Sequence, residues 1–102
     1  MDVKEMVNKM NILGKPKMEY SEYTKKYYLT ISEVEIKDGG FLTSPVEHKE
    51  TKEEAITAYY NRLINAPRIV VNAYTDNRKE YIFFEEDFIE YKEFKNKSIS
   101  LF

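Results

Sequence analysis

The stretch from Thr51 to Pro67 constrains this chain more than any other, because both of its ends are marked and its apolar residues keep a single period. Thr51 with Glu54 three residues on reads as a capping box, in which each side chain satisfies the other's free backbone N–H at the start of a helix. Ile56, Tyr59, Tyr60, Leu63 and Ile64 then recur at helical spacing and fall on one stripe, with Glu54, Asn61, Arg62 and Asn65 opposite. Pro67 cannot continue the hydrogen-bonded ladder and pushes Ala66 out of helical geometry. The spacing therefore predicts a helix of about four turns. Burying each large side chain is worth roughly 1.5–3 kcal/mol, while ordering each residue costs about 1–2 kcal/mol in backbone entropy. Such a helix needs a flat partner surface to persist.

The rest of the chain supplies that surface as strands. Tyr27, Leu29 and Ile31 alternate on one face, after which the alternation shifts phase to Val34 and Ile36, so a strand over 27–37 requires a bulge or burial on both faces. Asp38, Gly39 and Gly40 form a tight turn, and 41–49 returns as a second strand that Pro45 confines to an edge. Ile69, Val70 and Val71 form a compact apolar run typical of an interior strand. Asp76 and Asn77 centre a turn, and 79–84 is the last secure strand, with Tyr81 and Phe83 on one face and Ile82 and Phe84 on the other. Two apolar faces imply a central strand, or one covered by the helix on one side and a terminal segment on the other.

The termini are less regular. Asp2 and Glu5 mark a second cap, Val3, Met6, Val7 and Met10 repeat at helical spacing, and Gly14 ends a short helix over 2–13. Residues 14–25 have no consistent period and read as a linker or irregular arm. The stretch 85–94 fits either a helix, with acids early and Lys92 and Lys95 late, or a strand; the match to the helix macrodipole favours helix. The apolar end, Ile99, Leu101 and Phe102, either pairs with a sheet edge or frays. The outcome is a single α+β domain over 1–102. An antiparallel sheet of about four strands, ordered hairpin, helix, hairpin, carries the central helix on one face, with a short N-terminal helix in addition.

Function classes are narrowed mainly by what is missing. The chain holds no cysteine, which removes disulfides, thiolate catalysis and cysteine metal sites and fits a reducing cytoplasm. It shows no leader pattern and no apolar run near the ~20 residues that a membrane helix requires, so membrane association is not expected. His48, beside Glu47 and Glu50, is the single histidine and has no companions for a metal site or a catalytic relay. Glycine-rich phosphate loops and zinc-binding helix motifs are absent. The expectation is a protein that is not an enzyme and carries no cofactor.

What remains is surface chemistry. Glu80, Glu85, Glu86, Asp87, Glu90 and Glu93 gather within fourteen residues against Lys92 alone, threaded with Phe88 and Tyr91. Clustered carboxylates around aromatic anchors suit docking to a basic protein partner. These eight residues form the candidate contact face. A second class is nucleic-acid binding by the basic arm, where Lys15, Lys17, Lys25 and Lys26 flank Tyr20 and Tyr23; a third is self-association into a homodimer through a strand edge. Abundant Lys, Glu, Asn, Tyr and Ile with three Gly and three Pro is what AT-rich codons write. That composition fits a low-GC bacterium, or a phage or mobile element living in one; with the small size, the expectation is a phage or mobile-element accessory protein acting in a host cytoplasm, including an inhibitor of a host nucleic-acid-binding machine.

Overall fold

The computed structural model describes the backbone of residues 1–100 and the side chains of residues 1–96. The first helix, α1 (Val3–Met10), opens where the Asp2 carboxylate accepts the N–H of Glu5 at 2.8 Å. It stops at Met10, three residues short of the periodic signal, and Asn11–Leu13 form a turn that still delivers Leu13 to the core. Gly14 follows at φ +147°, so close to the core that a β-carbon there would stand 2.7 Å from Ile31 Cγ2.

The expected linker is instead half of a β-hairpin. Strands β1 (Lys17–Ser21) and β2 (Lys26–Thr30) pair antiparallel, from Lys17 opposite Thr30 to Ser21 opposite Lys26, and form a two-stranded sheet of their own. β1 escaped sequence reading because Met18 is its one side chain packed against the core; a strand that buries so little leaves no hydrophobic period. The segment ahead of the second helix clamps this hairpin. Tyr27 and Lys49 exchange backbone hydrogen bonds of 2.8 Å, and His48 stacks on Tyr28 with centroids 4.7 Å apart.

The phase shift after Ile31 is neither a bulge nor two-sided burial. Ser32 and Glu33 turn the chain, Glu33 lying at φ +64°, and the strand expected over 27–37 divides between two sheets. Strand β3 (Val34–Asp38) reverses through Gly39 and Gly40 into β4 (Phe41–Thr43). β4 lasts three residues rather than reaching Lys49, and Pro45 beyond it is fully buried.

The central helix, α2 (Lys52–Ile64), is where the sequence placed it. Thr51 Oγ1 accepts the Glu54 N–H at 3.1 Å, while the Glu54 carboxylate takes the Thr51 hydroxyl at 2.9 Å, so the box closes through the cap hydroxyl. Ala55, Tyr59, Tyr60 and Leu63 are buried, with Ile56 and Ile64 half-buried beside them. α2 carries the chain back across the sheet to β5 (Arg68–Val71), which pairs with β3 and begins a meander through β6 (Lys79–Phe84) and β7 (Asp87–Glu90).

The main sheet thus has five strands in the order β4-β3-β5-β6-β7, every neighbour antiparallel, rather than about four. Tyr59, Tyr60 and Leu63 meet Val34, Ile36, Ile69, Val71, Tyr81 and Phe88 in one core, closed at its end by Met10 and Leu13. On the opposite face α3 (Tyr91–Ser100) sets Phe94 against Phe84, centroids 5.1 Å apart. This is the terminal cover that the two apolar faces of β6 called for. Residues 85–94 are therefore turn, strand and the start of a helix in succession, not one helix. Leu101 and Phe102 lie outside the described residues, as does the side chain of Ile99.

Candidate partner-binding surfaces

The meander separates the residues that the sequence grouped as one acidic face. Glu85 and Glu86 are the two central residues of the β6–β7 turn, between the paired Phe84 and Asp87. Both hold left-handed backbone, φ +51° and +71°. Two positive φ values in succession are what a two-residue hairpin of type I′ demands, and asparagine and glycine are the residues that supply them without strain. Here glutamates do so. Lys9, at the end of α1, donates to the Glu86 carbonyl and lies 3.5 Å from Asp87 Oδ1, tying the turn to the body of the domain. All three carboxylates are exposed.

Phe88, one residue past the turn, faces the other way. It is 3% exposed, with its ring 5.1 Å from Phe83 and 6.0 Å from Tyr60, and so belongs to the core. Beneath the turn the Tyr60 hydroxyl is buried with no hydrogen-bond partner. Burial pushes its pKa up; Lys9 opposes that shift, and the charges of Glu86, Asp87 and Glu5 add to it.

Glu80, Glu90 and Tyr91 sit elsewhere, among cations. Arg68 donates to Glu80 Oε1 at 2.7 Å and Arg78 to Glu80 Oε2 at 3.2 Å; Lys79 and Lys92 lie 3.6 and 3.3 Å from the two oxygens of Glu90. Burial alone would raise the Glu80 carboxyl, but the hydrogen bonds from Arg68 and Arg78 outweigh it and hold the group below its ordinary value. The Arg68 guanidinium carbon lies over the Tyr91 ring, 3.5 Å from its centroid. Together with Lys95 these side chains line a groove of about 590 Å³. Glu93 is exposed in the first turn of α3.

Arg68, Arg78, Lys79 and Lys95 were not among the site residues read from the sequence: Arg68 stands twelve positions before its carboxylate partner, and the other three lie just outside the Glu80–Glu93 stretch. The usable signal was the β5–β6 register. Val70 opposite Glu80 places Arg68, two residues back on the same face, on the diagonal from Glu80.

The basic arm is now a hairpin, and the fold parts its lysines. Lys15 and Lys17 lie near its base and Lys25 in its tip turn, about 16 Å apart at 3.3 Å per strand residue, while Lys26 is 3.5 Å from Glu50. Tyr23 is 97% exposed and Tyr20 46%. A cavity of about 640 Å³ beside α2, between Glu47, Lys49, Asn61, Arg62 and Asn65, mixes both charges. Among the described residues no group of three or more His, Cys, Asp or Glu is placed to hold a metal ion, and no helix is long and apolar enough to cross a membrane.

Known proteins add no further constraint. No family model, curated protein or solved structure matches this chain.

Proposed function

We propose that this chain is a small non-enzymatic module that binds a basic protein partner through the β6–β7 turn, with Glu85, Glu86 and Asp87 as the contacting carboxylates. The observation that supports it is the pair of successive left-handed glutamates at the turn. Backbone held in sparsely populated conformations costs on the order of 1–3 kcal/mol per residue, and such sites cluster where function needs the geometry. A turn chosen for stability alone would carry Asn-Gly. This one instead raises the carboxylates of Glu85 and Glu86 beside Asp87, which Lys9 pairs with as it anchors the stem. Such an array suits multiple charge-assisted hydrogen bonds to arginine side chains. The AT-rich composition fits an origin in a low-GC bacterium or in a phage or mobile element living in one, and the partner included in the proposal is a host nucleic-acid-binding protein in the cytoplasm.

The exposed tyrosines of the β1–β2 hairpin support a second reading, in which Tyr20 and Tyr23 stack on the bases of a single strand. One set of titrations separates the two. With an arginine-rich peptide as probe, the wild-type chain binds in a salt-sensitive manner, and E85Q/E86Q/D87N weakens binding at least tenfold. Unchanged peptide affinity in that variant overturns the assignment of the turn. A single-stranded oligonucleotide whose binding depends on Tyr20 and Tyr23, with no peptide binding, replaces it with the second reading.

A further inference from the structure

We infer that the groove walled by β5, β6 and the start of α3 is a binding site for a phosphate group, carried either by a small phosphorylated ligand or by a nucleic-acid backbone. It uses residues separate from the β6–β7 turn, so the two assignments stand or fall independently. Five cations, Arg68, Arg78, Lys79, Lys92 and Lys95, meet two carboxylates, Glu80 and Glu90, leaving three positive charges in excess in one concavity. Each carboxylate is shared by two cations. No cation is thereby neutralised outright.

Arg68 is the fixed element of the site. Glu80 holds one nitrogen of its guanidinium, Tyr91 covers one face, and its Nε is buried without an acceptor. A guanidinium held this way gives up little side-chain entropy when an anion arrives, which is the advantage of a preorganised fork. Lys92 and Lys79, at 78% and 57% side-chain exposure, are free to swing toward a ligand. The chain enters α3 at Tyr91, in the groove wall, so the unbonded N–H groups of the first helical turn add to the positive potential. The volume of about 590 Å³ lies within the range of small-ligand sites. With Tyr91 already covered by Arg68, the wall offers charge rather than a free aromatic face, and the group recognised is the phosphate.

The test is a backbone amide NMR titration of the full chain with inorganic pyrophosphate, and in parallel with oligothymidylates of increasing length, at constant ionic strength. Saturable shifts confined to 68, 78–80 and 90–95, with affinity at least tenfold lower in K92E/K95E, are the expected result. Both lysines are exposed, and K92Q/K95Q, with a smaller loss, serves as the milder variant should charge reversal disturb α3. Affinity that grows with oligonucleotide length identifies a nucleic-acid backbone; pyrophosphate binding with no such growth identifies a small phosphorylated ligand. Shifts that do not saturate, that spread equally over Lys15, Lys17 and Lys25, or that persist unchanged in both lysine variants overturn the inference.

Discussion

Replacing Glu85 with Asn and Glu86 with Gly should stabilise this protein, although both residues are exposed and Glu86 contributes only its carbonyl to the contact with Lys9. At φ +51° and +71° both carry a β-carbon in the left-handed region, which costs roughly 1–2 kcal/mol per residue for an L-amino acid. Gly removes that cost at position 86 and Asn offsets it at 85 through hydrogen bonds of its short side chain to the local backbone, while the extra freedom of glycine in the unfolded chain takes back about 0.5–1 kcal/mol. The net gain is about 1–3 kcal/mol. Since 1 kcal/mol moves the Tm of a domain this size by about 4–8 °C, thermal unfolding of E85N/E86G should shift upward by at least about 4 °C, with a higher urea midpoint and an unchanged slope. The Lys9 bond to the carbonyl at position 86 survives the change, as does the Lys9–Asp87 pair at 3.5 Å. E85Q/E86Q separates strain from charge repulsion, because it neutralises the same carboxylates with side chains that fit the left-handed region no better than glutamate; its gain should be a small fraction of the first. An unchanged or lowered Tm in E85N/E86G refutes the claim that this backbone is strained. An equal gain in the Gln variant assigns the cost to repulsion instead.

Two further outcomes follow from the core. Burial pushes the Tyr59 hydroxyl from 10.0 to about 12, against a smaller opposing effect of a hydrogen bond with the Ile31 backbone. Below pH 10 both states hold this proton; between pH 10 and 12 only the unfolded chain releases it, so stability falls as pH rises, by about 1.4 kcal/mol per pH unit. Urea melts across that window should show a shallower decline in Tyr59→Phe, and identical slopes would show that Tyr59 does not titrate late. Gly14→Ala forces a β-carbon to within 2.7 Å of Ile31 Cγ2 at a φ of +147°. It should cost about 1–3 kcal/mol, as overpacking does, read as a lowered urea midpoint.

The legible parts of the fold were those with local chemistry of their own. Thr51, Pro67 and the Tyr59–Leu63 stripe located α2, and Asp2 with Val3–Met10 located α1, because caps and helical periodicity act within a few residues. Strand β5 declared itself by Ile69–Val71, and Gly39-Gly40 by their conformational freedom. The failures share a cause. The turn at Ser32–Glu33 and the turn at Glu85–Glu86 place glutamates, which lack turn propensity, at left-handed positions and are held by tertiary contacts: the Asn72 N–H to the Glu33 carbonyl at 3.0 Å, and Lys9 to the Glu86 carbonyl. With the second turn hidden, 85–94 looked like one helix.

The same limit governs the candidate sites. From the order of residues alone come the amphipathic α2, the strands that it needs, the absence of cysteine chemistry and the abundance of carboxylates near the end of the chain, all properties of composition or short-range spacing. Which carboxylates stand alone and which are matched by cations was decided by strand register. That register set Arg68 diagonal to Glu80 and turned Phe88 into the core, while the start of α3 brought Tyr91 under Arg68. Electrostatic and packing energies depend on separation in space, and in an antiparallel sheet that separation bears no fixed relation to distance along the chain.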